Sequence, residues 1–229
     1  MNDVFESVAI SGRQGQRNLL VKIAKEIKAE HGSRIHLFCQ LPDEVEIYED
    51  LMDDGLFETI DFAPRLMPME LPNGFDEKEV MERARELEAR YDVTINSLVV
   101  RSRHFGRGFA PGGYFHPRSR ISEHATYEQM VVVYNEALTF WEDAFRDKGI
   151  TLLINATPES YVIAREMGIP CRTLIDARYK NFWHWSVDDL ETVPEVEEHY
   201  AKIDEAPPTD ELDAPPTLYM KFRSDALGQ

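Results

Sequence analysis

The chain has 229 residues, is 43% hydrophobic and 29% charged, and carries a formal net charge of -17. This length holds one large domain or one and a half ordinary ones, and the composition fits a globular protein, not a disordered one. The negative charge repels phosphates at long range, which excludes non-specific nucleic-acid binding and requires any anion site to be local.

The first apolar run, Val4 to Ile10, ends in Ser11-Gly12-Arg13-Gln14-Gly15-Gln16. Leu19, Leu20, Ile23, Ala24 and Ile27 then recur at helical spacing up to a stop at Gly32, and Arg34 to Cys39 reads as a second strand. Strand, glycine-containing loop, helix and strand in this order predict a βαβ unit with parallel strands. Glu44 to Met52 predicts a short helix ending at Gly55, and Phe57 to Phe62 a third strand. Pro64, Pro68, Pro72 and Gly74 predict a loop. Asp76 to Arg90 predicts a charged helix with Asp76 as N-cap and Val80, Ala84, Leu87 and Tyr91 as its buried stripe. Ile95 to Val100 is expected to be a fourth strand.

Thr126 to Lys148 is the longest predicted helix, with Met130, Val133, Tyr134, Ala137, Leu138, Trp141 and Phe145 on its apolar face and Gly149 at its end. Thr151 to Ile154, Pro158 to Met167 and Cys171 to Ile175 add strand, helix and strand. The alternation implies an α/β fold: a three-layer, Rossmann-like domain over residues 1-187 with a mostly parallel sheet covered on both sides. From Asp188 to Asp213 there are eleven acids and one base, Lys202, together with Pro194, Pro207 and Pro208. Residues 188-229 therefore read as an acidic Pro-rich tail or linker.

Cys39 and Cys171 are the only cysteines; neither has a CxxC partner or a histidine at ligand spacing, as expected of buried free thiols in a reducing compartment. No window approaches the ~20 apolar residues of a membrane span, and the acidic N-terminus lacks a signal-peptide pattern. A cytoplasmic protein is the expectation. No metal and no cofactor are implied, because no carboxylate or His/Cys cluster has ligand spacing.

Ligands in open parallel sheets bind outside the carboxyl ends of the strands, where three segments are expected: Gly12 to Asn18, Arg101 to Arg120, and Asp176 to Trp185. The middle one, RSRHFGRGFAPGGYFHPRSR, stands out by charge. Val93 to Ser122 contains Arg101, Arg103, Arg107, Arg118 and Arg120, with His104 and His116 and no acid, where the chain average predicts about five or six. Gly106, Gly108, Gly112 and Gly113 allow backbone N–H groups to approach a ligand, and arginine offers multi-donor recognition of phosphate or carboxylate. Two readings stand, an anion or substrate site and a basic loop paired with the acidic tail. In SGRQGQRN, Gly12 and Arg13 precede a helix N-terminus, which favours anions; a tight turn alone also explains the glycines, and the spacing matches neither a dinucleotide fingerprint nor a P-loop. In DARYKNFWHW, Asp176, Arg178 and Lys180 lie beside Tyr179, Phe182, Trp183 and Trp185, which suits carbohydrate or nucleotide contact and equally a domain interface. His104 and His116 are candidate general bases, and Asp176 could orient one of them or act itself.

The stretch YDVTINSLVVRSRHFGRGFAPGGYFHPRSR, the YNEALTFWE helix and REMGIPCRTLIDARYKNFWHW resemble the N-terminal region of bacterial capsular or surface polysaccharide biosynthesis proteins, which look like GT-B-type glycosyltransferases. The resemblance covers roughly residues 4 to 190. It implies an acceptor-side domain that faces a second Rossmann-like domain or subunit holding the nucleotide sugar, and such a second domain would begin where this chain ends, at Gln229. The ligand implied is a sugar or nucleotide sugar. A different class of reading is a non-catalytic interaction domain, a homo-oligomer included, that docks through the basic loop and the aromatic segment; an epimerase-like sugar-nucleotide enzyme shares the fold.

Overall fold

The computed structural model describes residues 4-40, 42-49, 55-63, 72-101, 126-176 and 183-201. Ser7–Ser11 forms β1 and Arg34–Cys39 forms β2, joined by the helix α1 at Arg17–His31. The two strands pair in parallel from Ser7 opposite Arg34 to Ser11 opposite Phe38, as the βαβ pattern predicts. α1 ends where Gly32 takes φ 67, a left-handed conformation open to glycine without strain. After α2, Pro42–Glu49, the strand β3, Thr59–Phe62, pairs parallel with β2. α3 covers Glu77–Tyr91, and the Asp76 carboxylate caps it by accepting from the N–H groups of Lys78 and Glu79.

Ile95–Arg101 is a helix, α4, and not the expected strand. Ile95, Leu98 and Val99 are buried at helical spacing in the core that α3 also fills. Thr94 starts the turn: its hydroxyl accepts from Ser97 N–H at 3.1 Å, while Ser97 Oγ donates to the Thr94 carbonyl at 2.7 Å. The Glu88 carboxylate accepts from Ile95 N–H at 2.7 Å. The Thr94 and Glu88 side chains thus satisfy two of the first-turn donors that a helix leaves open, those of Ser97 and Ile95.

α5, Tyr127–Lys148, opens on a capping box between Thr126 and Gln129 and ends at Gly149 with φ 58. All seven residues predicted for its apolar face are buried. Phe38, near the carboxyl end of β2, packs on Trp141 at 4.9 Å between ring centroids, and Ser7 at the amino end of β1 donates to the Lys148 carbonyl at 2.9 Å. Only the last turns of α5 therefore lie across the sheet. At 1.5 Å per residue, the remainder runs roughly 20 Å past the carboxyl ends of the strands. α3 runs alongside, tied by Asn135 to the Val80 carbonyl and by Arg83 to Thr139. Glu142, nearly fully buried, accepts two bonds from Arg90 and pairs with Arg146 at 2.7 Å.

β4, Leu152–Ile154, pairs parallel with β1 on the side away from β2, and β5, Cys171–Asp176, follows after α6 at Pro158–Glu166. β6, Trp183–Ser186, is antiparallel to β5 and forms the edge. The segment Asp176 to Trp185, expected beyond the strand ends, thus contributes Trp183 and Trp185 to a strand. The strand order is β3-β2-β1-β4-β5-β6. One face is covered by α1 and α2 over a core of Val8, Ile10, Leu20, Ile35, Leu37 and Tyr48; the other by α3 to α6 over Ala9, Phe38, Trp141 and Ile163. This is the expected three-layer, mostly parallel α/β architecture. Both cysteines are free and buried.

The chain divides into two units, Met1–Val193 and Pro194–Gln229. The first closes on a turn in which Asp188 accepts from Leu190 and Thr192 N–H groups. Of the second, one helix is described, α7 at Pro194–Ala201, with proline at its opening position, where a missing N–H costs nothing. Among the described residues no helix is long and apolar enough to cross a membrane.

Candidate functional site

The strand order reverses between β1 and β4: the chain leaves β1 toward β2 and β3, and leaves β4 toward β5. A crevice at the carboxyl ends of such neighbours is the usual ligand position in this architecture. Here that position is framed by the loop after β1, from Gly12 to the 3-10 turn Gln14–Gln16, and the loop after β4, from Asn155 to Thr157.

Asn155 stitches the floor. It is fully buried and adopts φ 61, a left-handed conformation that asparagine tolerates better than most residues. Its Nδ2 donates to Gln16 Oε1 at 2.7 Å, and its Oδ1 accepts from Leu174 N–H at 3.0 Å. Its own N–H donates to the Arg172 carbonyl at 2.8 Å. One side chain thus joins the first loop, β4 and β5. Gly12 is buried beside it, donating its N–H to the Phe38 carbonyl at 2.8 Å. A Cβ on Gly12 would lie 3.4 Å from that oxygen and 3.5 Å from the Tyr48 ring, so larger side chains would displace the loop. Gly15 faces open space. Close packing explains the first glycine but not the second.

The electrostatics differ among the helices that start on this side. α2, α5 and α6 carry Glu44, Glu128 and Glu159 in their first turns, and each of these acids compensates the partial positive charge of its helix end. Glu44 accepts from Gln40 N–H at 3.1 Å. α1 has no acid in its first turn, and its capping residue Gln16 makes no side-chain cap bond, because its amide is committed to Asn155. The partial positive charge at the start of α1 is thus offset by no first-turn carboxylate and no side-chain cap. Arg13 stands at the lip and reaches solvent; desolvation by the surrounding protein lowers its pKa without neutralising the guanidinium. Arg17, one turn on, is engaged elsewhere, donating to the Ile47 carbonyl at 3.1 Å. Below the loop, burial first, then Cys39 and Glu44, push the Tyr48 hydroxyl up to about 12, so it stays protonated. Ser11 Oγ, buried at the end of β1, has no hydrogen-bond partner among the described residues.

Of the residues singled out by sequence, Gly12 and Arg13 fall on this crevice. Asp176 is the last residue of β5, exposed at the same edge, two strands from β1. Arg101 ends α4, so the basic stretch follows a helix and not a strand as expected; only its backbone is described. His104, His116, Arg103, Arg107, Gly108, Gly112, Arg118, Arg120, Arg178 and Lys180 lie outside the described residues. Trp183 and Trp185 are on β6, facing the α1 side opposite Asp176 and Leu174. Gln16 and Asn155 were missed. The signal for Asn155 was available: an Asn-x-Thr-Pro run after an apolar strand marks a left-handed turn into a helix cap.

The fold defines a class: an open, mostly parallel, Rossmann-like α/β domain whose strand order reverses between β1 and β4. Compared with known proteins, the chain matches no family model, no curated protein and no solved structure.

Proposed function

We propose that this chain is the acceptor-side domain of a sugar transferase of surface or capsular polysaccharide synthesis, and that its carboxyl-edge crevice binds an anionic sugar or phosphate group. The observation that carries this reading is the α1 N-terminus, free of any first-turn acid and placed beside Arg13 at the switch point. The basic stretch adds to it. The stretch begins after Arg101 and returns at Thr126, where α5 starts well beyond the strand ends. Arg101, Arg103, Arg107, Arg118 and Arg120 contribute the remaining cationic contacts, and His104 or His116 takes the proton from an acceptor hydroxyl. A second Rossmann-like domain or subunit supplies the nucleotide sugar.

The test is titration of an acidic oligosaccharide and a nucleotide sugar into the wild type, Arg13→Gln and Arg103→Ala/Arg107→Ala. Each variant is expected to bind about tenfold more weakly or worse, the loss of one charged hydrogen bond. Equal binding by all three proteins refutes the assignment. The exposed Trp183 and Trp185 on an edge strand favour the second reading, an interaction domain. A monomer at all concentrations that binds sugar and no protein excludes it.

A further inference from the structure

The two faces of the sheet are not covered alike. On the α5 face, α6 packs over β4 and β5. On the α1 face, Leu152 and Ile154 of β4 are buried in one core with Leu20 and Ala24, while Trp185 on β6 remains 40% exposed. Between α1 and β6 lies a cavity of about 310 Å³. Ile23 and Ile27 of α1 form one wall, Ile154 the floor, Trp185 the other wall, and Phe5 closes the end nearest the start of β1. Among the described residues, Arg172 is the only charged one in the lining, and it stands at the exposed rim. Its guanidinium donates to the Cys171 carbonyl at 2.7 Å and makes no ion pair among the described residues.

We infer that this cavity is a second ligand site, specific for an amphipathic anion, with the apolar body between α1 and Trp185 and a carboxylate or phosphate head on Arg172. An apolar cavity favours a ligand that removes its surface from water, and volumes near 300 Å³ are at the lower end of small-molecule pockets. At ~30 Å³ for each water-sized group, roughly ten carbons fit. A neutral apolar ligand would fill the same space and leave the guanidinium unused. A cationic one would meet Arg172 directly. In a chain of net charge -17, an arginine beside an apolar cavity with no carboxylate partner among the described residues is the local feature that selects an anion. The site is separate from the crevice: Phe5 and Pro170 precede β1 and β5, which puts the cavity toward the amino ends of the strands.

The experiment uses the full chain and four probes of equal length below their micelle concentrations: decanoate, decyl phosphate, decanol and decyltrimethylammonium. Calorimetry and the indole N–H resonance of Trp185 report binding. Decanoate or decyl phosphate is expected to saturate at one per chain, at least tenfold tighter than decanol and the cation, and the tighter of the two identifies the head group. Arg172→Gln reduces the anion to the affinity of decanol. Ile27→Trp fills the cavity and abolishes binding. Inorganic phosphate, the probe for the α1 N-terminus, does not compete with decanoate, so failure of one site leaves the other standing. Equal affinity for decanol and decanoate, an unaltered Arg172→Gln, stoichiometry well above one, or no shift of the Trp185 indole overturns the inference. Should Ile27→Trp fail to fold, the Trp185 shift in the wild type decides alone. Self-association that covers the cavity and excludes all four probes also refutes it.

Discussion

His36 makes the stability of this domain depend on pH near neutrality. It lies on β2, 3% exposed, and its Nδ1 is 3.1 Å from Thr59 Oγ1. Thr59 donates its own proton to Asp61 at 2.5 Å, so its oxygen accepts and the imidazole carries its hydrogen on Nδ1. Nε2 is buried with no partner among the described residues. Protonation would place an N–H there with nothing to accept it. Burial, then Lys148 and Arg34, lower the pKa from 6.5 to about 4, against the opposing pull of Asp61 and Glu58. The unfolded chain therefore binds this proton first as pH falls. The stability is complete above 6.5, declines between 6.5 and about 4, and has lost about 3 kcal/mol at the end of that window. Between pH 7.5 and 5 the share is about 2 kcal/mol. Urea unfolding of the wild type and His36→Gln at the two pH values measures it. The wild type is expected to lose about 2 kcal/mol more than the variant over this interval, with unchanged m-values. Equal losses would refute the reasoning, whatever the stability of the variant at pH 7.5.

Asn155→Ala should destabilise by about 2–4 kcal/mol, since it strains a left-handed position and leaves Leu174 N–H unsatisfied; Asn155→Gly should cost less, and chemical denaturation separates the two terms. Burial raises the Glu142 carboxyl pKa, but the neighbouring Tyr91 hydroxyl and the Arg90 and Arg146 charges outweigh it and hold the group below its ordinary value. That contribution is present above the unfolded carboxylate range and is lost as pH falls through the folded value, so Glu142→Gln should flatten the acid limb of an unfolding curve. Because both arginines can turn to solvent, the same variant should cost only about 1–2 kcal/mol at pH 7. Thr126→Ala removes the α5 cap and should cost about 1 kcal/mol in a thermal melt without altering phosphate binding.

Much of the fold was legible because periodicity and punctuation agreed. Gly32 and Gly149 ended helices in left-handed turns, and Asp76 and Thr126 began them with caps. Ile95 to Val100 was misread because a short apolar run fits either period; the Thr94 and Ser97 hydroxyls, which decide for a helix, act through hydrogen bonds that composition does not weigh. β6 was missed because Trp183, His184 and Trp185 alternate only over four residues, after a run of charges. The crevice was half legible. Gly12 and Arg13 follow a strand visibly, whereas the bond between Gln16 and Asn155 spans 139 positions and exists only through the pairing of β1 with β4.

That separation bears on how the molecule assembles. β1 can pair with β2 after a single helix, but its other neighbour is more than 140 residues away, so the central strand waits for most of the chain. Closing so long a loop is slow, and the contact order of the domain is set by this pairing. The carboxyl-edge crevice is therefore a late product of folding, absent from any intermediate built on the first βαβ unit alone. Amide exchange at Leu174, whose N–H is held by Asn155, should track global unfolding and not local opening.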